Sequence, residues 1–249
     1  MQLRQSIMPP VVKNLIILNV IMYIAFNILF PKYSDMLALH YWGASDFKPM
    51  QLVTYMFMHA GFWHIALNML ALWMFGSQVE NIWGPKRFLF FYLACGLGSA
   101  IFYYTIFAFQ VPGIKADLLM NGVHGKYEYI WQNFQFFDQI PRGPLSYNDA
   151  TQVADIYMNS NSLVGASGAI FGVLLAYGMM FPNSLIYIYF FIPLKAKYLV
   201  IIYGLIELYS GIQSMRGGGD NVAHFAHVGG MAIGFIILMF WRARGELYQ

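Results

Sequence analysis

Long apolar runs, broken by prolines and a few charges, limit what this chain can become. A helix that spans a bilayer needs about 20 mostly apolar residues. Runs of that kind occupy about 12–30, 57–79, 88–109, 163–181, 196–212 and 222–241. Pro31, Pro85, Pro112 and Pro182 stand at their edges, where a missing N–H and a fixed φ interrupt a helix. A further apolar stretch, 185–193, is short and ends at Pro193, so it reads as a loop or strand-like connector. Only 10% of the residues are charged and the mean hydropathy is +0.54. A soluble domain carries about 25% charged residues. This chain has too few charges to cover a soluble surface, so the lipid bilayer is its expected solvent. The expected fold is all-α, a polytopic bundle of six transmembrane helices forming a single domain over 1–249.

The single cysteine, Cys95, rules out an internal disulfide framework. The net charge of +3 is small and its basic residues are scattered, which argues against nucleic acid as a partner. Arg4 and Lys13 precede an apolar run too long for a signal-peptide core, so the first helix is expected to act as an uncleaved signal anchor. Lys and Arg near span ends assign sides. One side carries Arg4, Lys13, Lys86, Arg87, Lys195, Lys197, Arg242 and Arg244, with only Glu80 and Glu246 as acids. On the other side, Lys32, Lys48, Lys115, Lys126, Arg142 and Arg216 are diluted by eight acids, among them Asp35, Asp117 and Asp155. The first side is expected to be cytoplasmic and to hold both termini, in a cell membrane. Helices two, four and six then enter from outside.

On that orientation His59, His64, Ser167, His224 and His227 fall at similar depth, on the order of 5–12 Å below the outer boundary. Polar groups inside a span are costly and are functional candidates by default. Ser167 lies in Gly165-Ala166-Ser167-Gly168-Ala169, and His227 in Ala226-His227-Val228-Gly229-Gly230. A serine hydroxyl needs a base, and histidine is the usual one near neutral pH. Gly168 and Gly172 form one small-residue face, and Gly230 and Gly234 form a matching one, so the two helices can approach closely. The plainer reading is a packing seam with Ser167 bonded to its own helix. His64 and Asn68, spaced i, i+4, share one face and can donate to a developing oxyanion, as can the Ser167 amide. His59 is expected to orient the loop before them. Phe171, one turn after Ser167, can pack on the His227 imidazole. Four histidines make a metal worth weighing, but without a carboxylate among them or an HExxH pattern, no metal and no cofactor are expected. Glu207 is the only acid well inside a span and falls nearer mid-helix, so the expected unit is a Ser–His dyad rather than a triad, with Glu207 a partnered structural residue.

These motifs resemble those of the rhomboid family of intramembrane serine proteases. The resemblance rests on His59, His64 and Asn68 in helix two, Gly165-Ala166-Ser167-Gly168 in helix four, and Ala226-His227-Val228-Gly229-Gly230 with Gly234 in helix six. Glu80-Asn81-Ile82-Trp83-Gly84-Pro85-Lys86-Arg87, followed by Phe91-Tyr92-Leu93, is similar to the family's junction between helices two and three. The resemblance implies a six-helix core, hydrolysis of peptide bonds in transmembrane protein substrates, a Ser167–His227 dyad, and oxyanion roles for His64, Asn68 and the Ser167 amide. Two positions depart from it. Phe171 stands where many members have tyrosine, and Met50-Gln51 stands where a tryptophan followed by Arg or Gln is common.

Residues 110–162 are expected to form an external insertion between helices three and four, too long for a simple connector. Within it, 127–140 reads as an amphipathic helix on the outer interface, and Asn148 as the cap of another short helix. The alternative to an enzyme is a non-catalytic rhomboid-like protein that binds membrane helices. A transporter fits less well, because the polar residues gather near one face rather than crossing the bilayer.

Overall fold

Proline and glycine positions set most of the helix boundaries. The computed structural model describes residues 6–124, 143–188, 191–215 and 223–248. Helix α1, Pro10–Tyr23, begins on a proline, whose missing N–H is no loss at a first helical position. It runs on through a π turn, Ile24–Leu29. Short helices α2, Ser34–Leu37, and α3, Gln51–Thr54, lie in the loop that follows. Helix α4, Phe62–Ala71, passes through a second π turn, Leu72–Gly76, into α5, Ser77–Asn121. Next come α6, Tyr147–Ser160, and α7, Ser167–Met180. Strands β1, Leu185–Ile188, and β2, Ile192–Lys195, precede α8, Ala196–Met215, and α9, His224–Ala243.

Among the described residues, four helical stretches are long and apolar enough to cross a membrane: Pro10–Leu29, Phe62–Asn121, Ala196–Met215 and His224–Ala243. The 60-residue stretch is not one rod. Gly84 takes φ 74° and ψ 168°, a conformation that glycine adopts without a Cβ clash, and Pro85 restarts the helix. Helix α7 is shorter, at 14 residues. It packs against α5 and α9, with α8 and the α4–α5 turn beside it. Ile170, Gly172, Leu174, Ala176 and Gly178 are all buried, and at helical spacing they surround the axis, so its burial is not confined to one face. Helices α1 and α8 form the rim. Ile17 and Ile21 on α1, Ile28 in the π turn that follows it, and Ile201, Leu205 and Ile206 on α8, face outward. Such an apolar perimeter suits lipid, and the chain is a multi-pass membrane protein.

Two local expectations change and a third is met. Pro112 does not end its helix, because α5 continues to Asn121. The added turns bury Ile114 and Leu118 in the core beside Leu145, Ala150 and Val153. Burying such side chains contributes about 1.5–3 kcal/mol each, enough to offset a proline inside a helix at roughly 3 kcal/mol. Helix α6 is capped by Ser146, not Asn148. The Ser146 Oγ accepts from the Asp149 N–H at 3.2 Å, two residues earlier than the sequence suggested. As the strand-like reading expected, Leu185–Ile188 pairs antiparallel with Ile192–Lys195, with Leu185 opposite Lys195. The amphipathic helix expected at 127–140 lies outside the described residues.

The junction after α4 ties the two chain ends to one face of the bundle. The Glu80 carboxylate, 2% exposed, accepts from the Val11 N–H at 2.9 Å and the Val12 N–H at 2.8 Å. Those amides belong to the first turn of α1 and have no partner within the helix. Asn81 exchanges two hydrogen bonds with the Ser6 backbone. Trp83 Nε1 donates to the Leu247 carbonyl at 2.8 Å, and Arg87 donates to the Glu246 carbonyl while lying over the Trp241 ring. A carboxylate satisfying helix amides is worth more than a neutral cap, because bonds to charged groups contribute about 1.5–3 kcal/mol each. Replacing Glu80 with Ala is expected to lower stability by on the order of 3 kcal/mol. A fall in the thermal midpoint of the detergent-solubilised protein checks this, and an unchanged midpoint would remove the junction from the account of stability.

Candidate active site

The chain is led to Ser167 by backbone pairing. Leu39 and Leu163 form an isolated antiparallel bridge, bonded in both directions at 2.9 and 2.7 Å. The Gly165 N–H then donates to the Tyr55 carbonyl at 2.9 Å. Gly165 has φ 121°, and a Cβ there would also come within 2.8 Å of the His64 ring. Only glycine fits both conditions. Helix α7 starts at Ser167, so the Ser167 amide is among the first-turn N–H groups that a helix leaves unbonded.

The outer loop that supports this segment is held by Gln51, which follows Met50, the residue standing where the rhomboid pattern commonly has tryptophan. Its side chain is fully buried. Its Oε1 accepts from the Lys48 and His40 amides, and its Nε2 donates to the Met36 and Asp46 carbonyls. The Tyr104 hydroxyl donates to the Leu39 carbonyl and, at 3.1 Å, to that of Asn161. Without an aromatic residue before it, Gln51 still fixes the loop as a buried amide with four hydrogen bonds.

Helices α7 and α9 meet without side chains between them. A Cβ on Gly230 would lie 1.8 Å from the Gly168 carbonyl oxygen. One on Gly172 would lie 3.1 Å from the Gly230 oxygen, and one on Gly234 would lie 3.3 Å from Gly172 Cα. Ser99 of α5 closes the seam from behind, its Oγ donating to the Ala226 carbonyl at 2.7 Å. Across this contact Ser167 Oγ and His227 Nε2 are 2.8 Å apart. Phe171 stacks on the His227 imidazole, with centroids 4.3 Å apart and planes 8° from parallel.

Glu207 is not remote from these groups. Its Oε2 lies 2.8 Å from His227 Nδ1 and 2.7 Å from His224 Nδ1. A carboxylate only accepts, so each Nδ1 carries its proton. His227 Nε2 is then unprotonated and accepts the Ser167 O–H. The expectation that Glu207 stands apart from His227 is therefore corrected. Counting along α8 put Glu207 near mid-helix, but the packing of α8 against α9 brings its carboxylate to His227. The same contact corrects the statement that no carboxylate lies among the histidines. Glu207, His224 and His227 have ligand-type atoms within 4.8 Å of one another, a set that could hold a metal ion. Two ligands on a tetrahedral zinc stay about 3.3 Å apart. The observed 2.7 and 2.8 Å separations are hydrogen-bond distances.

The other candidates lie on α4 and the loop before it. The His64 ring packs against Gly165, and its Nδ1 accepts from the Ala60 N–H at 3.4 Å, which leaves the proton on Nε2, the nitrogen beside Gly165. Asn68 is buried on the same helix face, and its Nδ2 has no hydrogen-bond partner among the described residues. His59 is 2% exposed, and neither ring nitrogen has a partner among those residues. Its ring meets that of His64 edge-on at 5.0 Å, and its carbonyl accepts from Asn27. Sequence reasoning missed Glu207 and Gln51. An acid alone in an apolar helix, with two histidines three residues apart on another, was the available signal for the first.

Comparison with known proteins settles the ancestry of this arrangement. The model of the Rhomboid domain matches residues 46–114 and 148–244, more than half of the chain. The chain belongs to the rhomboid family. Among curated relatives, RHOMBOID-like protein 12, mitochondrial, of Arabidopsis thaliana is 27% identical over 91% of this rhomboid chain and 56% of its own length. Rhomboid protein 1, mitochondrial, of Saccharomyces cerevisiae is 24% identical over 72% of this chain and 38% of its own. The rhomboid protease GluP of Bacillus subtilis is 45% identical over a 51-residue segment, 20% of this chain and 10% of its own. The chain thus spans about half or less of the length of these relatives.

The seam makes a clear demand on any variant. Gly230→Ala inserts a methyl group where none fits, and overpacking of this kind costs about 1–3 kcal/mol or more. A lower thermal midpoint in detergent is expected. Wild-type stability would mean that the helices are not in fixed contact there.

Proposed function

We propose that this rhomboid chain is an intramembrane serine endopeptidase that cuts transmembrane segments of membrane proteins. The observation that carries the reading is the 2.8 Å contact between Ser167 Oγ and His227 Nε2. In the proposed reaction His227 takes the Ser167 proton as the hydroxyl attacks the scissile carbonyl. The oxyanion is met by the Ser167 amide, His64 Nε2 and Asn68 Nδ2. His227 then passes its proton to the leaving amine, and water hydrolyses the acyl-enzyme. The Asn68 donor, buried without a partner among the described residues, supports its part in this. Phe171 keeps the imidazole plane in place by stacking alone. His59 backs the His64 ring, and the glycines at 165, 168 and 230 make room for the site.

We read six spans, with the Phe62–Asn121 stretch divided at Gly84 and α7 counted as a span. Helix α7 is about 21 Å long, and its Met180 end lies near the chain terminus, where the Tyr248 hydroxyl meets the Met180 carbonyl. A hydrocarbon core of about 30 Å then leaves Ser167 roughly 10 Å beneath the far face. The charge asymmetry supports a cell membrane with both termini cytoplasmic and the site open to the outer face. Two relatives are named mitochondrial, so fractionation of a tagged chain is the check on compartment. The 110–162 segment is proposed as an external insertion of a single domain. GluP is named a rhomboid protease, which supports an enzyme over a non-catalytic binder of membrane helices.

Ser167→Ala is expected to abolish cleavage of single-pass membrane proteins while the chain still folds and inserts, and His227→Ala to behave alike. Asn68→Ala should lose about 10²-fold or less, since other donors remain. A fluorophosphonate probe should label the wild-type protein and not Ser167→Ala. Absence of both labelling and cleavage in the wild type would favour the helix-binding alternative.

A further inference from the structure

We infer that Glu207 is a positioning residue for His227, braced by His224, so that the site works as a Ser–His–carboxylate relay with an acid supplied from α8. This rests on the reading of Ser167 as nucleophile and His227 as base. An acid buried in a membrane-spanning helix is expensive unless paired. Glu207 is 8% exposed, while Ile206 and Leu208 beside it face outward. A residue serving only to pin α8 to α9 would need one contact to any donor. Instead, both imidazoles present Nδ1 to the same oxygen, Oε2. The opposite nitrogen of His227 is the one that meets Ser167. His224 and His227 are three residues apart and share the α9 face that meets α8.

Two consequences follow from the chemistry of the groups. The acceptor-only carboxylate fixes His227 in the tautomer whose Nε2 lone pair faces the serine. When His227 takes the serine proton, the positive charge forms 2.8 Å from a negative oxygen, in a site where water does little screening. His224 adds no step of its own. Its Nδ1–H holds the carboxylate so that Oε2 cannot rotate away from His227.

The test uses the full-length chain in detergent, with fluorophosphonate labelling of Ser167 as the activity readout. Glu207→Gln keeps the shape but can offer an N–H to Nδ1 and so invert the tautomer. It is expected to slow the saturating labelling rate by about 10²-fold or more, with little change in the half-saturating probe concentration or the thermal midpoint. Glu207→Asp should recover part of that rate. Imidazole ¹⁵N spectra should report a protonated Nδ1 on His227 in the wild type and its loss in Glu207→Gln. Wild-type labelling by Glu207→Gln would overturn the inference. A wild-type spectrum with the His227 proton on Nε2 would do so without any variant. If the wild-type serine does not label at all, the protease reading falls, and the nitrogen spectrum alone decides the place of Glu207.

Discussion

At position 230 the bundle has no space for a single carbon atom beyond the backbone, and the rest of the site depends on that contact. In lipid there is little hydrophobic drive to bring one apolar helix against another, so association rests on close van der Waals packing and hydrogen bonds. Glycines on α7 and α9 let the backbones touch. The spacing they fix is what allows a short serine side chain to reach an imidazole on the neighbouring helix. Larger residues at these positions would push the helices apart by more than a hydrogen bond can span.

The two faces of the molecule are secured by different means. On the face holding the chain ends, the Glu80 carboxylate, the Asn81 amide, Trp83 and Arg87 tie both termini to the start of α5. On the opposite face, Gln51, Tyr104 and the Leu39–Leu163 bridge hold the segment that delivers Gly165 and Ser167. Both devices satisfy backbone groups that would otherwise be costly to bury. The region between them is nearly free of charge, which makes the position of Glu207 stand out.

Much of the arrangement could be read from residue order. The apolar runs, the proline stops and the two pairs of small residues indicated helices and the seam before any coordinates. Ser167 and His227 were picked out by equal depth and by their small neighbours. A proline usually ends a helix, but at Pro112 the burial of Ile114 and Leu118 overrode that tendency. The burial of Gln51 has no local signal, because it depends on loop backbone groups that only the fold gathers around it.

What the sequence determined by itself is the solvent of this protein, the helical nature of its segments, its family motifs and the chemical types at the candidate site. Those follow from local properties: hydropathy, backbone propensity and the reactivity of each side chain. The tertiary structure decided which nitrogen of His227 faces Ser167 and which faces Glu207. That depends on how α8 leans on α9, a relation between segments that no local pattern encodes. A lone acid in α8 and two histidines in α9 hinted at a pairing, but only the packing brought Oε2 against both imidazoles.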